Sequence, residues 1–338
     1  MLPARQGELQ VARLVASPRV AIVLGVDGGN SKTELLAASL EGDLVARARG
    51  PGNNAHFAGV DATVDFLGRL VAESGLGDPA THGVLYLCGV DVPADREALT
   101  TALERTSWLE RASVDNDVFG LLRAGTEEGD AVAVVCGAGI NCAGRSGDGR
   151  VARYPSLGWE SGDWGGSVML GREVLFLAAR AEDGRGEPTV LSGLVREHFG
   201  LPVAEVGEAV RYRRIPLARL GELAPRVVDA AESGDSVSRR LVERLADEVV
   251  LMATRALADL GLTERPVRVL LGGGMLRSAT GLLYDEVVAR LARAVPHARP
   301  TAVTEPPVLG AALDALDAAG ATPAAAARLR AALCSYSG

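Results

Sequence analysis

Two segments of the sequence follow the same pattern, in which a short apolar run enters a glycine turn and a hairpin follows. The apolar runs are residues 20–26 and residues 131–136. The hairpins also match, because Gly-Asp-Leu-Val-Ala-Arg at 42–47 is echoed by Gly-Asp-Gly-Arg-Val-Ala-Arg at 147–153. Hairpins with such turns are common, so a chance similarity is the alternative. We interpret the repeat as two domains built on one plan, which the length of 338 residues allows at roughly 150 residues per domain.

The rest of the chain alternates short apolar strands with amphipathic helices, the pattern of an α/β fold. Strands are expected at 112–115 and 267–271, and a helix is expected around 57–71. Two longer helices are predicted at 163–181 and 217–231. Because apolar runs and helical stretches alternate in both halves, we expect mixed sheets flanked by helices.

The predicted domain organisation has three parts. Residues 1–18 show no regular spacing of apolar residues and are expected to form a flexible N-terminal extension. Residues 19–127 are expected to form the first domain and residues 128–305 the second. Helices within residues 308–338 are expected to return and complete the first domain.

Composition excludes several classes of function. The formal net charge is −8, so the chain lacks the basic footprint of a nucleic-acid-binding protein. No apolar stretch approaches the roughly 20 residues that span a membrane. The four cysteines form no Cys-x-x-Cys pair, which argues against a zinc site or a disulfide framework. We therefore expect a cytoplasmic protein with reduced thiols and with neither nucleic acid nor membrane as a partner.

Three glycine turns that follow strands point to phosphate binding, because backbone N–H groups without a nearby Cβ can surround an anion. Neither common nucleotide motif fits: Lys32 is preceded by Ser31 where a Walker loop needs glycine, and Cys142 replaces the third glycine of a dinucleotide fingerprint. A plain turn is the alternative for each loop taken alone. The nucleotide-binding candidates in the three loops are Asp27, Gly28, Gly29, Asn30, Ser31, Lys32 and Thr33; Gly137, Ala138, Gly139 and Asn141; and Gly272, Gly273 and Gly274.

The first loop carries the strongest signal, because it adds an acid, two hydroxyl groups and the chain's single lysine, Lys32. Asp27 at the end of a strand is suited to hold Mg²⁺ through water, while Ser31, Lys32 and Thr33 face phosphates. The alternative for Lys32 is a solvated charge on the hairpin.

Five motifs in order resemble the N-acetylglucosamine kinase and BadF-type (BadF/BadG/BcrA/BcrD) ATPase family of the actin-like sugar-kinase superfamily. They are Asp-Gly-Gly-Asn-Ser-Lys-Thr, Asn-Asp, Gly-Ala-Gly-Ile-Asn-Cys, Gly-Trp-Glu-Ser-Gly-Asp-Trp-Gly-Gly-Ser and Leu-Gly-Gly-Gly. The resemblance implies two ribonuclease-H-like (actin-like ATPase) domains, with ATP and Mg²⁺ bound in the cleft between them. Homodimers occur in the family.

The resemblance also assigns roles to single residues. It implies that Asp117 is the base that accepts the proton of a sugar hydroxyl, and that Asn54 and Asp163 contact the sugar together with Asp117. It places Asp27 on the metal side, the second loop at the phosphates and the third at the adenosine. Alternatives from the sequence are a helix cap for Asp117 or Asp163, a turn residue for Asn54, and Asp115 as a rival base.

The chain departs from the family pattern at two places. Ala138 and Ile140 replace the hydroxyl residues of the second phosphate loop, so backbone donors must bind the anion there. Trp164 and its neighbours replace a Glu-Gly-Ser segment after Asp163, which reshapes the expected sugar pocket. The resemblance nevertheless implies an ATP-dependent kinase that phosphorylates an amino sugar, with the 6-hydroxyl of N-acetylglucosamine as the first candidate. Alternatives are an activator-type ATPase of a 2-hydroxyacyl-CoA dehydratase system and a non-catalytic sugar sensor.

Overall fold

The structure, a computed structural model, describes residues 21–334. The expected extension at 1–18 and the last four residues lie outside the described part. Two five-stranded mixed sheets, each flanked by helices, confirm the predicted duplicated α/β architecture.

The first sheet has the order β3-β2-β1-β4-β5. Strands β1 to β3 form the expected antiparallel meander, and β4 and β5 continue the sheet in parallel with β1. Every residue of β1 is buried, whereas β3 at the edge alternates between half-buried and exposed residues. The strands are β1 Ile22–Gly28, β2 Lys32–Ser39, β3 Leu44–Pro51, β4 His82–Leu87 and β5 Ala112–Asp115.

The second sheet repeats this arrangement strand for strand, with the order β8-β7-β6-β9-β10. Again three strands form an antiparallel meander, and the last two lie parallel to the first of them. The common order and directions confirm that the sequence repeat reflects a structural duplication. The strands are β6 Ala131–Cys136, β7 Ile140–Arg145, β8 Val151–Arg153, β9 Val267–Gly272 and β10 Ala298–Ala302.

Helices cover the faces of both sheets, and most of them belong to the second half of the chain. Two 3₁₀ helices, Gly158–Ser161 and Leu217–Leu223, accompany them. The α-helices are α1 Ala55–Ala58, α2 Val60–Glu73, α3 Pro93–Leu103, α4 Val118–Gly125, α5 Gly166–Glu182, α6 Leu191–Phe199, α7 Val203–Arg211, α8 Ala224–Glu232, α9 Ser236–Asp259, α10 Leu282–Ala294, α11 Pro307–Ala318 and α12 Pro323–Cys334.

Several predicted elements differ from the observed ones. The helix expected from residue 163 begins at Gly166. The segment before it forms a 3₁₀ helix, and then Gly162 has a positive φ and Gly165 an extended backbone, so an α-helix cannot start earlier. The helix expected at 217–231 is divided, since Pro225 cannot donate a helical hydrogen bond and stands in the first turn of α8. Strand β10 and helix α7 were not predicted.

The helix that follows the last strand of each sheet covers the sheet of the other half. Helix α4 follows the first sheet in sequence but packs mainly on β6, β7 and β9 of the second, whereas α11 follows the second sheet and packs on β1, β2 and β4 of the first. The two helices also pack against each other, so that one hydrophobic core contains residues of both sheets. In the structure, α11 thus packs on the first sheet although it follows the second in sequence.

Three glycines allow this layer to be thin. A Cβ on Gly310 of α11 would lie 2.0 Å from the carbonyl oxygen of Gly120 in α4, and a Cβ on Gly25 of β1 would lie 2.3 Å from the backbone nitrogen of Ala312. Only hydrogen in place of a side chain permits such approaches. The backbone of helix α11 therefore lies in direct contact with the backbones of both α4 and β1.

A polar cluster lies in the same layer. The Asp314 carboxylate of α11 accepts a hydrogen bond from the hydroxyl of Tyr86 on β4 and pairs with Nε of Arg123 on α4 at 3.0 Å. Nη2 of Arg145 on β7 lies 3.8 Å from the same carboxylate. One side chain thus connects both sheets and both helices. Because the shared core crosses it, the domain division at residues 127 and 128 stays a prediction.

None of the helices within residues 21–334 is both long and apolar enough to cross a bilayer.

Replacing Gly310 by alanine should push α4 and α11 apart, because the new methyl group overlaps the Gly120 carbonyl. We expect Gly310→Ala to lower the free energy of unfolding by about 1–3 kcal/mol in urea denaturation. The control is Gly207→Ala in α7, where a Cβ meets no atom within 4 Å and should raise stability by up to about 1 kcal/mol. Equal effects of the two substitutions would contradict the close approach.

Candidate functional site

A cleft of about 300 Å³ opens where the strand ends of the two sheets face each other. It is lined by the loops that follow β1, β4, β5 and β6, together with the turn after β9. Most of the predicted site residues therefore come together in one place. Those that line the cleft are Asp27, Gly29, Asn30, Ser31, Lys32, Asn54, Asp117, Gly137, Ala138, Gly139, Asn141 and Gly273.

Five predicted site residues do not line the cleft. Gly28 lies against the side chain of Leu87, and Gly272 lies against Leu121, so both serve packing at strand ends. Thr33 is fully buried, and its hydroxyl group has no hydrogen-bond partner. The other two are Gly274 and Asp163.

The β1–β2 turn is a tight hairpin. The Gly29 N–H donates to the Lys32 carbonyl at 2.9 Å, and the Asn30 side-chain oxygen accepts a hydrogen bond from Nδ2 of Asn54 at 3.0 Å. The Lys32 ammonium pairs with Glu34, a buried acid that the sequence analysis did not single out. Lys32 therefore lies at the rim of the cleft and already has an anionic partner.

Asp27 is the most electrostatically perturbed acid of the cleft. Burial, and then the charge of Asp117, raise the pKa of Asp27 to about 8. A cation beside the carboxylate would relieve this cost. Among residues 21–334 no group of three or more His, Cys, Asp or Glu side chains could hold a metal by itself. Mg²⁺ usually uses one or two protein carboxylates and completes its shell with phosphates and water, so a single buried acid such as Asp27 suits it.

Asp117 stands between β5 and α4, at the position before the first helical residue. Its side chain makes no cap hydrogen bond; the N–H of Val118 donates instead to the side chain of Asn116 at 3.0 Å. Asp117 therefore occupies the N-cap position of α4, while the Asn116 side chain accepts the hydrogen bond from Val118. Burial, and then the charge of Asp91, raise the pKa of Asp117 to about 7, near the value at which a carboxylate works as a general base.

The rival acid Asp115 is occupied elsewhere. Its two carboxylate oxygens accept hydrogen bonds from Nη2 of Arg153 at 2.6 and 2.7 Å, and Arg96 lies 3.6 Å away. Asp115 also does not line the cleft. An ion pair between β5 and β8 is thus the observed role of Asp115.

Asn116 links three parts of the site and was not predicted as a site residue. Its Nδ2 donates to the Asp91 carboxylate at 2.8 Å, and its Oδ1 accepts from Nδ2 of Asn141 at 2.8 Å as well as from Val118. The Asn141 side chain is therefore engaged with Asn116, which leaves its backbone to face the cleft. The Asn-Asp motif was the available signal, but its partners are distant in sequence.

The second glycine loop is anchored to the start of α5. The carbonyls of Gly137 and Ala138 accept hydrogen bonds from the N–H groups of Ser167 and Val168 at 2.8 and 3.1 Å. A Cβ on Gly137 or Gly139 would meet no atom within 4 Å, so the space beside both glycines opens towards the cleft. The loop can therefore admit an anion close to its backbone.

The third glycine loop reaches the cleft through Gly273. This residue has φ +84, and a Cβ there would lie 2.4 Å from the carbonyl oxygen of Cys136. That same carbonyl accepts a hydrogen bond from the N–H of Met275 at 3.0 Å. The turn after β9 is thus held against the end of β6, next to the second loop.

The two predicted sugar contacts lie in different places. Asn54 faces the cleft and also caps α1, because its side-chain oxygen accepts from the N–H of His56 at 3.0 Å. Asp163 lines a neighbouring cavity and accepts a hydrogen bond from the Ser161 hydroxyl. The alternative that Asp163 caps α5 is wrong, since the cap position belongs to Gly165.

Asn116 offers a test of the polar network. Asn116→Ala leaves the partners of three hydrogen bonds unpaired and should lower the free energy of unfolding by about 1–3 kcal/mol. Asn116→Asp keeps the acceptor but sets a second carboxylate beside Asp91, whose pKa burial and Asp95 raise to about 6. The loss in urea denaturation should therefore be larger at pH 8 than at pH 5, where one of the two carboxylates carries a proton. A pH-independent loss would contradict the contact.

Comparison with known proteins identifies curated relatives of similar length. The chain is 27% identical over 272 residues to an N-acetylmuramic acid/N-acetylglucosamine kinase of Clostridium acetobutylicum, with 78% of this chain and 88% of that protein covered. It is 26% identical over 314 residues to an N-acetyl-D-glucosamine kinase of Dictyostelium discoideum, with 88% and 98% covered.

Solved structures show the same fold. A proposed N-acetylglucosamine kinase of Chromobacterium violaceum superposes with a TM-score of 0.67 at 22% identity, covering 88% of this chain and 99% of that one. A ROK family glucokinase of Streptomyces griseus, solved with glucose and AMPPNP, gives a TM-score of 0.57 at 16% identity, covering 87% and 98%. These similarities confirm the two-domain actin-like ATPase fold expected from the motifs.

The family model described as the BadF/BadG/BcrA/BcrD ATPase family matches residues 24–315. That range contains both sheets and every loop of the cleft. The match confirms the resemblance read from the five motifs, and the chain belongs to the BadF/BadG/BcrA/BcrD ATPase family.

Proposed function

We propose that the protein is an ATP-dependent sugar kinase that phosphorylates a hydroxyl group of an amino sugar, with the 6-hydroxyl of N-acetylglucosamine as the first candidate. The observation that carries the proposal is Asp117, a carboxylate of raised pKa that lines the cleft together with the glycine loops and makes no side-chain cap hydrogen bond. The names of the two curated relatives, both kinases of N-acetylated amino sugars, supply the substrate class.

Phosphoryl transfer mainly requires positioning and neutralisation of charge. In the proposed mechanism Asp117 accepts the proton of the sugar hydroxyl while that oxygen forms the bond to the γ-phosphorus and the bond to the β-phosphate oxygen breaks. The backbone N–H groups of Ala138 and Gly139 hold phosphate oxygens, because Ala138 and Ile140 offer no hydroxyl group and the Gly137 N–H already donates to the Gly139 carbonyl at 2.9 Å. Asn54 holds the sugar from the side of the first sheet.

Asp27 would hold Mg²⁺ through water, and the ion when bound neutralises charge on the phosphates. The β1–β2 turn at 28–33 would lie along the phosphates, and Gly272–Gly274 would lie beside the adenosine. Closure of the two halves would exclude water and limit hydrolysis of ATP. We keep a cytoplasmic location, a homodimer, and the lack of membrane and nucleic-acid partners as predictions.

The activator-type ATPase is not favoured. That role needs cysteines that can hold an iron–sulfur cluster at a dimer axis. Among the residues whose side chains the structure describes, Cys88, Cys136 and Cys142 are all buried, and burial raises the pKa of each thiol. Buried neutral thiols on three separate elements do not suit such a cluster.

The first test is a sugar panel with Mg²⁺-ATP: N-acetylglucosamine, glucosamine, N-acetylmannosamine, N-acetylmuramic acid and glucose. We expect phosphorylation of an N-acetylated amino sugar, with kcat reduced by about 10²–10⁴ in Asp117→Asn. Asp65→Asn on the exposed face of α2 is the matched control and should keep full activity. Sugar binding without turnover would indicate the sensor, and ATP hydrolysis without a phosphorylated sugar would exclude the kinase.

The pKa of Asp117 predicts a pH dependence. A general base must be ionised, so kcat/KM for the sugar should fall about tenfold per pH unit below about 7 and level off above it. Because the charge of Asp91 raises this pKa, Asp91→Asn should move the inflection to lower pH. The measurement is the pH profile at saturating Mg²⁺-ATP. An inflection that stays in place or moves upward would contradict the assignment.

A further inference from the structure

A second cavity of about 200 Å³ adjoins the cleft. Its walls are mainly apolar or aromatic side chains of the β7–β8 hairpin, the segment before α5 and the middle of α9. The side chains that form these walls are Ile140, Tyr154, Pro155, Trp164, Leu251 and Met252. Trp164 is 4% exposed, whereas Leu251 is 63% exposed, so the cavity has a closed end and an open mouth.

The cavity and the cleft share a wall. Ile140 lines both spaces, and the next part of the wall is the segment after β8, where Pro155 faces the cavity and Ser156 faces the cleft. Ser156 has φ +55, the left-handed region that a residue with a Cβ rarely adopts, and its hydroxyl donates to the Ile140 carbonyl at 2.8 Å. Backbone strain of this kind is often found at functional sites.

Asp163 adds a carboxylate to the wall of the cavity. Burial is the largest cause of the raised pKa of Glu248 in the same cavity, and the charge of Asp163 adds to it. Because Ile140 lines both spaces, a substituent of a ligand in the cleft that extends past Ile140 enters the cavity.

The charges in the cavity do not suit an anion. Arg255 is already paired with Asp259, and Arg244 stacks over the Trp164 ring at 3.9 Å from its centroid. Asp163 and Glu248 add acidic groups, and burial raises the pKa of Glu248. A neutral, largely apolar substituent fits these walls best.

We propose that this cavity receives the acyl chain of an N-acylated amino sugar and admits chains longer than acetyl. The inference rests on the proposed function, which places the pyranose ring in the cleft. The 6-hydroxyl and the 2-nitrogen lie on opposite sides of that ring, so a reacting hydroxyl at Asp117 directs the nitrogen substituent away from it, and the cavity beyond Ile140 is the space that receives it. The cavity has several times the roughly 30 Å³ that one water molecule takes in the liquid, more than an acetyl group of three heavy atoms needs.

The experiment measures kcat/KM with Mg²⁺-ATP for glucosamine and its N-acetyl, N-propanoyl, N-butanoyl and N-succinyl derivatives. We expect the propanoyl and butanoyl sugars to be used at least as well as the acetyl sugar, because their added methylenes enter the apolar cavity, and glucosamine to be at least about tenfold poorer, because it leaves the cavity unfilled. The N-succinyl sugar, which matches butanoyl in length but ends in a carboxylate, should also be at least about tenfold poorer.

A substitution that fills the cavity tests whether the acyl chain binds there. Met252→Trp should lower kcat/KM for the N-butanoyl sugar at least about tenfold more than for the N-acetyl sugar. Leu217→Trp, at an exposed position outside both spaces, is the matched control and should leave the whole series unchanged. Isothermal titration with the same sugars without ATP gives a second readout that does not depend on turnover.

The outcomes separate the two proposals. Failure to phosphorylate any sugar would overturn the kinase itself. Phosphorylation of N-acetylglucosamine with rejection of longer acyl chains, with equal use of glucosamine, or with preference for the N-succinyl sugar would leave the kinase standing and overturn the acyl cavity. An equal loss for acetyl and butanoyl sugars in Met252→Trp would also overturn it.

Discussion

The contact between α4 and α11 sets the geometry on which the rest of the molecule depends. Gly120 and Gly310 bring the backbones of the two helices into contact, and Gly25 does the same for α11 and β1. Strand β1 ends next to Asp27, and α4 begins next to Asp117. Both acids stand at the carboxyl ends of strands in the first sheet, and the packed layer beside the cleft, where small residues leave little freedom to adjust, holds them in place. The polar cluster around Asp314 holds the same layer in register.

The cleft keeps carboxylates in an environment that does not favour their charge. Asp27, Asp91 and Asp117 all have raised pKa values, and in each case burial is the largest cause. The free protein thus holds acids that a bound cation can stabilise, and loop backbones that a bound anion can satisfy. A nucleotide with its metal supplies both charges, so the site and a metal–phosphate pair complement each other. Stability is given up here for binding, as is common at functional sites.

The sequence predicted those features that depend on local patterns. Strands β5 and β6 have the bounds expected for them, because each is a short apolar run between turn residues. Features set by distant partners could not be predicted. Strand β10 carries Arg299 and Pro300 and is a strand only because it lies at an edge beside β9. The pairing of Asn116 with Asn141, and the position of Asp163 outside the cleft, depend on how the two halves pack. The sequence therefore identifies the loops of the site, but not the contacts between them.

The crossing of α4 and α11 also has a consequence for how such a chain could arise. The two helices occupy equivalent positions, since each follows the last strand of its own sheet, and each covers the other sheet. Two copies of a single ancestral unit that exchanged the helix after the last strand would have this arrangement, and joining the copies end to end would give the present topology. In that view the cleft began as the groove between two identical subunits. Its two sides could then diverge, one towards an acid and the other towards a phosphate loop.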